Sequence, residues 1–441
     1  MVDLSRINQY DLSSYDVIFK EAFHVDTLHA ICAAIKELEN PSNELINEWE
    51  AFGEKFLIWI IKKAILVAFI AIAYTLYKDL LVLSGYYRGP AQKSNGGKCR
   101  YLEGFVKSKL CEDIKIHHAS GLAYLACGDE QSRKTAPWPP PIDAYNNNFP
   151  LRGTFYVYNI EKDKLTPLIL KNFPDEEDFS LHGFGIYESP TESDNLYFFI
   201  INHKRTGSVI ELFKHKLNTF ELNHLKTFKH DLIYSPNSVA PVSKDEFYIT
   251  NDLYYIQSHW KVQLEIWTRR RWSNVVFHSS KTNTTEVVAD GLIFANGITV
   301  NWDYSRVFIG TTGTGEFFIY ERKPDNKLKL LDTINIEHSI DNVNVDPVTG
   351  EIYLAVIHDI LEFMNGIADK FQSIKPSFGV IKISNNTKED KFYGIKYVKE
   401  KIFEDDGTIF YSISVAAGDS SRKVMLLGSP FAEGAVRCEL D

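Results

Sequence analysis

The sequence has no surplus of positive charge: 48 Lys and Arg stand against 58 Asp and Glu, a formal net charge of −10. That balance argues against nucleic acid as a partner, because no basic stripe exists to neutralise phosphates. The one short basic run, Arg269-Arg270-Arg271, reads as a solvated edge. The acidic surplus is compatible with a bound hard cation and equally with ordinary solubility, so by itself it decides nothing. Cysteine is scarce. None of the five, Cys32, Cys99, Cys111, Cys127 and Cys438, is separated from another by two residues, which excludes a zinc ribbon or a thioredoxin motif. Past residue 99 no helical period persists, so that region reads as all-β.

What is present begins with apolar bulk. With 44% hydrophobic and 13% aromatic residues in 441, the chain can bury a large core and is too long for one small domain. Residues 64–77, AILVAFIAIAYTLY, carry no charge; Lys62-Lys63 precede them, FLIWII lies just upstream, and LLVL follows Lys78-Asp79. Fourteen residues make about 21 Å of helix, short of a ~30 Å hydrocarbon core. If Lys78 snorkels outward the run extends through Leu83 and spans. No A-x-A-like cleavage site follows cleanly, so residues 56–88 are expected to be a retained membrane anchor. The lysine pair predicts a cytosolic N-terminus and a lumenal or extracellular C-terminal part. A buried or interfacial helix is the competing reading. Residues 1–55 are acidic and helix-prone over 26–38, and nothing in them suggests a catalytic role.

Cys99 and Cys438 stand at the two ends of the remaining chain. A bond between them would close that region, worth roughly 4–5 kcal/mol in the chain-entropy model, and would need an oxidising compartment. Sequons at Asn283 and Asn385 fit the same compartment.

Residues 99–441 contain a repeat. Four segments share one layout of a polar residue, a strand, a turn and a second strand: His182-Gly183-Phe184 before LYFFIINH; Asn237-Ser238 before EFYITND; Asn296-Gly297 before RVFIGTT; and Asp341-Asn342 before EIYLAVI. Weaker copies start at Glu112-Asp113 and near Tyr411. Steps of about 45 to 70 residues match a four-stranded propeller blade, and six copies predict a six-bladed β-propeller. Equivalent positions of successive blades circle one axis. The leading polar residues, with His203, Asn251 and Asp252 at the adjacent strand ends, should therefore meet at one end of a central channel.

Carboxylate and amide oxygens suit calcium rather than zinc. A calcium with open positions polarises an ester carbonyl, and a nearby histidine can act as base toward water. Each residue has a plainer reading: Asn-Gly is often only a turn, Asp346-Pro347-Val348-Thr349-Gly350 reads as only a turn, and a lone Asn or His in a strand is usually a satisfied polar group. Five polar leads at one blade position are hard to explain as turns. His117, His118 and His358 read as structural.

The segments around Glu112-Asp113, FSLHGFGIY, IINHKRTGSVIELFKH, FYITND, FANGITV, IDNVNVDPVTGEIYL and the terminal Cys-Glu-Leu resemble the paraoxonase/arylesterase family, in order and in spacing, over essentially all of 99–441. The resemblance implies a six-bladed propeller with two channel calcium ions that hydrolyses small-molecule lactones and aryl esters. It implies catalytic calcium ligands Glu112, Asn237, Asn296, Asp341 and Asn342, His182 as base with His203 as its partner, and a Cys99–Cys438 disulfide. It puts a second, structural calcium on Asp113 and the Phe184 carbonyl. At Ser238 the family usually has an aspartate, which predicts a weakened second site. Ile357, with His358 beside it, stands where the family has a histidine, which bears on substrate choice. The alternative is a non-catalytic, calcium-stabilised propeller that binds a lipid or protein partner.

Overall fold

The structure, a computed structural model, describes residues 43–87, 89–92, 98–106, 109–129, 151–256, 259–369, 373–388 and 394–440. The helix-prone stretch at 26–38, Cys32 and the Pro-rich stretch at 137–141 lie outside the described residues. A helix runs over Asn43–Leu83, starting well upstream of the apolar run. Its part Lys55–Leu83, which contains an 18-residue window of mean hydropathy 2.4, is the one helix among the described residues long and apolar enough to cross a membrane. Ile65 and Phe69 on it are exposed at 64% and 69%, an arrangement water does not favour.

From Cys99 onward six four-stranded antiparallel sheets form a six-bladed β-propeller. Blade 1 comprises Lys109–His117, Leu122–Asp129, Thr154–Asn159 and Lys164–Pro167. Blade 2 comprises Leu181–Glu188, Asn195–Lys204, Gly207–Lys216 and Glu221–Phe228, with Ile169–Lys171 added in parallel outside. Blade 3 comprises Pro236–Ser243, Glu246–Asn251, Ser273–Ser279 and Thr284–Leu292; blade 4, Ala295–Val300, Arg306–Thr311, Glu316–Arg322 and Leu328–Asn335. Blade 5 comprises Ser339–Val345, Ile352–Ile357, Phe378–Asn385 and Tyr397–Asp405. Blade 6 takes Val415–Asp419, Val424–Gly428 and Ala435–Glu439 from the end of the chain and its outer strand, Cys99–Tyr101, from the start. Each inner strand contacts those of both neighbouring blades, so the ring closes.

The sheets hold together through six apolar seams, one between each pair of neighbouring blades. Leu125 and Tyr156 meet Leu426 across blades 1 and 6; Tyr124 meets Phe184 and Phe198 across blades 1 and 2; Phe199 meets Phe247 across blades 2 and 3. Both faces of each middle strand are therefore covered, which is why EFYITN or EIYLAVI read as nearly unbroken apolar runs. Truncating one such buried side chain to alanine costs about 2–5 kcal/mol.

Two disulfides are present among the described residues. Cys99–Cys438 links the outer strand of blade 6 to its neighbour, and Cys111–Cys127 joins directly opposed residues of blade 1. The second pairing has no signal in spacing alone, because it depends on strand register. The all-β domain carries two short helical insertions. Helices His259–Thr268 and Ile360–Ala368 are inserted between the second and third strands of blades 3 and 5. The latter is capped by Asp359, whose side chain accepts from the Leu361 and Glu362 N–H groups. Both are too short to leave a period visible beside the strands. Arg269-Arg270-Arg271 follows the first of them rather than lying on a sheet edge, and Arg269 Nη2 donates to Gly313 O at 2.7 Å.

Candidate active site

The polar residue leading each of the first five repeats sits in a β-bulge. The pairing between inner and second strand shifts register between Cys111 and Asp113, between Pro236 and Ser238, between Ala295 and Ile298, and between Ile340 and Val343. The residues left over are Glu112, Asn237, Asn296-Gly297 and Asp341-Asn342. Blade 2 shifts at the same level, with Phe184 opposite Ile200 and Leu181 opposite Asn202, which leaves out His182-Gly183. A bulge frees a residue from the alternation of a strand and re-aims its side chain, here toward the axis. Blade 6 has no bulge, and it contributes no ligand-type residue at this level.

Glu112, His182, Asn237, Asn296 and Asn342 are all buried. Asn342 Nδ2 donates to Glu112 Oε1 at 2.7 Å, and the same Oε1 lies 3.9 Å from His182 Nε2. Asn296 Nδ2 donates to Thr312 Oγ1 at 3.0 Å, and Asn237 Nδ2 to Asp252 Oδ2 at 3.5 Å. With their amino groups tied in this way, the amide oxygens of Asn237, Asn296 and Asn342 are left buried without a hydrogen-bond partner. Three orphaned acceptors beside carboxylates are what a hard cation fits. Burial pushes the Asp341 carboxyl up to about 8, against the Asn296 amide and with the help of the Asp113 charge. Burial likewise pushes Asp252 up to about 6, although the Ser235 hydroxyl and the Asn237 amide donate to it.

His182 Nδ1 and His203 Nε2 are 2.7 Å apart, and His203 Nδ1 is 2.8 Å from Ser208 Oγ. The end of the second strand meets the start of the first through the His203 N–H, which donates to Ser180 O. Asn251 does not join the cluster. Its side chain accepts from the Tyr234 and Ser235 N–H groups and donates to Leu232 O, holding the blade 3 loop. His358 lies between Glu404, at 3.1 Å, and Gly89 O, at 3.0 Å. His117 pairs with Ser120 at 2.7 Å. Asp346 closes the turn at Val348 as read, and also lies 3.9 Å from His118, beside Asp419.

Several supporting residues escape a reading of the repeats. Ser414, at the lead position of blade 6, donates to Glu112 O, and its carbonyl accepts from the Asn342 N–H. Thr250 and Thr312 each donate to the neighbouring blade's lead segment, at Asn296 O and Ile340 O. Gly183 and Gly297 are not turn glycines. A Cβ at Gly183 would stand 2.5 Å from Asn237 O, and one at Gly297 would stand 2.5 Å from Val343 N. Below this level Asp113 accepts from the Phe184 N–H at 3.0 Å and pairs with Lys115 at 3.1 Å. Nothing in the blade layout flagged Lys115.

The Arylesterase family model matches residues 121–440. The chain belongs to the arylesterase family. It is 30% identical to mouse serum paraoxonase/arylesterase 1 over 346 residues, 78% of this chain and 88% of that protein. It is 29% identical to the human protein of the same name, covering 78% of this chain and 88% of that one. Against mouse serum paraoxonase/lactonase 3 it is 31% identical, covering 58% and 67%. The family-model match begins after Glu112 and Asp113, so the place of those two residues beside Asn342 and Phe184 comes from the fold.

Proposed function

We propose that this protein hydrolyses lactones or aryl esters, with one calcium held by Glu112, Asn237, Asn296, Asp341 and Asn342. The observation that carries the reading is the set of three buried, partnerless amide oxygens beside a hydrogen-bonded histidine pair. When bound, calcium supplies a positive charge toward which an acyl oxygen can be polarised. The remaining roles fall to side chains. His182 takes a proton from water at Nε2, the ring nitrogen turned to Glu112. For that, its Nδ1–H must donate to His203 Nε2, and the His203 Nδ1–H then donates to the Ser208 hydroxyl. The chain of donors fixes the tautomer and spreads the positive charge that His182 gains. Asp252 and Thr312 hold the amides of Asn237 and Asn296 with their oxygens inward.

The same reading puts the propeller on the lumenal or extracellular side of a single-pass anchor. The two disulfides and the exposed sequon residues Asn283 and Asn385 support it. The full chain in detergent should hydrolyse an aryl ester and an aliphatic lactone, lose both activities to a calcium chelator and regain them with calcium. Activity indifferent to chelator would overturn the calcium mechanism, and no activity on either substrate would leave the non-catalytic, partner-binding propeller as the better account of the site.

A further inference from the structure

The family pattern implies a second calcium below the first, on Asp113 and the Phe184 carbonyl, with an aspartate where Ser238 stands. The residues present do not fit that ion. Asp113 and Lys115 are two residues apart on the inner strand of blade 1, so both face the channel. Lys115 Nζ lies 3.1 Å from Asp113 Oδ1 and donates to Asn344 Oδ1 at 3.0 Å. The Asp113 carboxylate is further occupied by the Ile114 N–H at 2.9 Å on Oδ1 and the Phe184 N–H at 3.0 Å on Oδ2.

The cage around the lysine is built for it. Asn344 is buried, and its Nδ2 is tied to Ile114 O at 3.3 Å and Ala416 O at 3.0 Å, so its oxygen faces the ammonium. Lys115 lines a cavity of about 450 Å³ with His118, Gly185, Pro241 and Trp302, and its ammonium lies against Asp113. Ser238, whose Cα lies 3.0 Å from where a Gly183 Cβ would stand, offers a buried hydroxyl and no charge. The level thus holds one carboxylate and one ammonium. A divalent ion there would meet no net negative charge and would have to displace a cation already hydrogen-bonded on two sides.

We propose that the Lys115 ammonium takes the place of a second calcium, so that this protein holds a single calcium, at the head of the channel. The inference rests on the proposed catalytic site, and the count of bound metal separates the two. The full chain, purified in detergent and equilibrated with millimolar calcium, should carry one calcium per chain by elemental analysis and radiocalcium dialysis. Two per chain overturns the role of Lys115. None per chain overturns the catalytic calcium itself, and this inference with it. The double variant Lys115→Met, Ser238→Asp removes the ammonium and adds a carboxylate, and should take up a second equivalent. If it folds and stays at one, the proposal fails. Should it not fold, Ser238→Asp alone decides: with Lys115 in place it should remain at one, and a rise to two overturns the proposal.

Discussion

His182 Nδ1 lies 2.7 Å from His203 Nε2, and the two rings reach each other from opposite strands of one hairpin in blade 2. Because the second ring only sets the tautomer of the first, the two should differ in importance. His182→Gln is expected to lower kcat by about 10²–10⁴, the usual contribution of a general base. His203→Gln should cost less, and Ser208→Ala less again. Calcium content should stay unchanged in all three. Steady-state rates on an aryl ester, paired with metal analysis, check the order; a fully active His182→Gln enzyme would sink the assignment.

The amide oxygens at the channel head should act on metal affinity rather than on proton transfer. Asn237→Ala and Asn296→Ala each remove one orphaned acceptor and are expected to raise the calcium concentration needed for half-maximal activity. Saturating calcium should restore most of kcat. A titration of activity against free calcium distinguishes this from a loss that no calcium restores.

Gly297 lies where the inner strands of blades 4 and 5 pack closely against each other. A methyl group there would stand 2.7 Å from both Asn342 Cα and Asp341 O, so Gly297→Ala must push backbone against backbone. It should cost about 1–3 kcal/mol and loosen calcium at the same time, because the displaced residues are candidate ligands. Thermal unfolding with and without calcium measures both. Gly350→Ala is an informative contrast: nothing lies near its Cβ position, but its φ of +73° makes it a purely local backbone strain.

His278 packs against Phe228 and Phe247, with ring centroids 5.2 and 5.0 Å away. Burial, aided by Lys226 and His230, lowers its pKa from 6.5 to about 4. The ring is therefore neutral in the folded chain, while the unfolded chain takes up a proton below pH 6.5. Stability fully present above 6.5 should be lost as pH falls from 6.5 toward 4. His278→Gln should flatten that acid-side slope in urea midpoints measured at pH 7 and pH 5; an unchanged slope assigns the sensitivity elsewhere.

The Cys111–Cys127 bond closes a separation of 16 residues next to Glu112. Replacing both cysteines by alanine should lose about 3 kcal/mol in the chain-entropy model. Non-reducing peptide mapping should recover Cys111 with Cys127, and Cys99 with Cys438.

Composition and periodicity sufficed for the blade count, for the level at which Glu112, His182, Asn237, Asn296 and Asp341 lie, and for an apolar segment long enough to span. These follow from local pattern, because a repeat of strand and turn must return to the same height on each pass. What the sequence could not carry was register. The bulges that turn the lead residues inward, the Cys111–Cys127 pairing and the Ser414 link between Glu112 and Asn342 all depend on which residue stands opposite which across separate strands. A shift of one residue reverses every side chain of a strand, and only the packed ring of blades selects among the shifts.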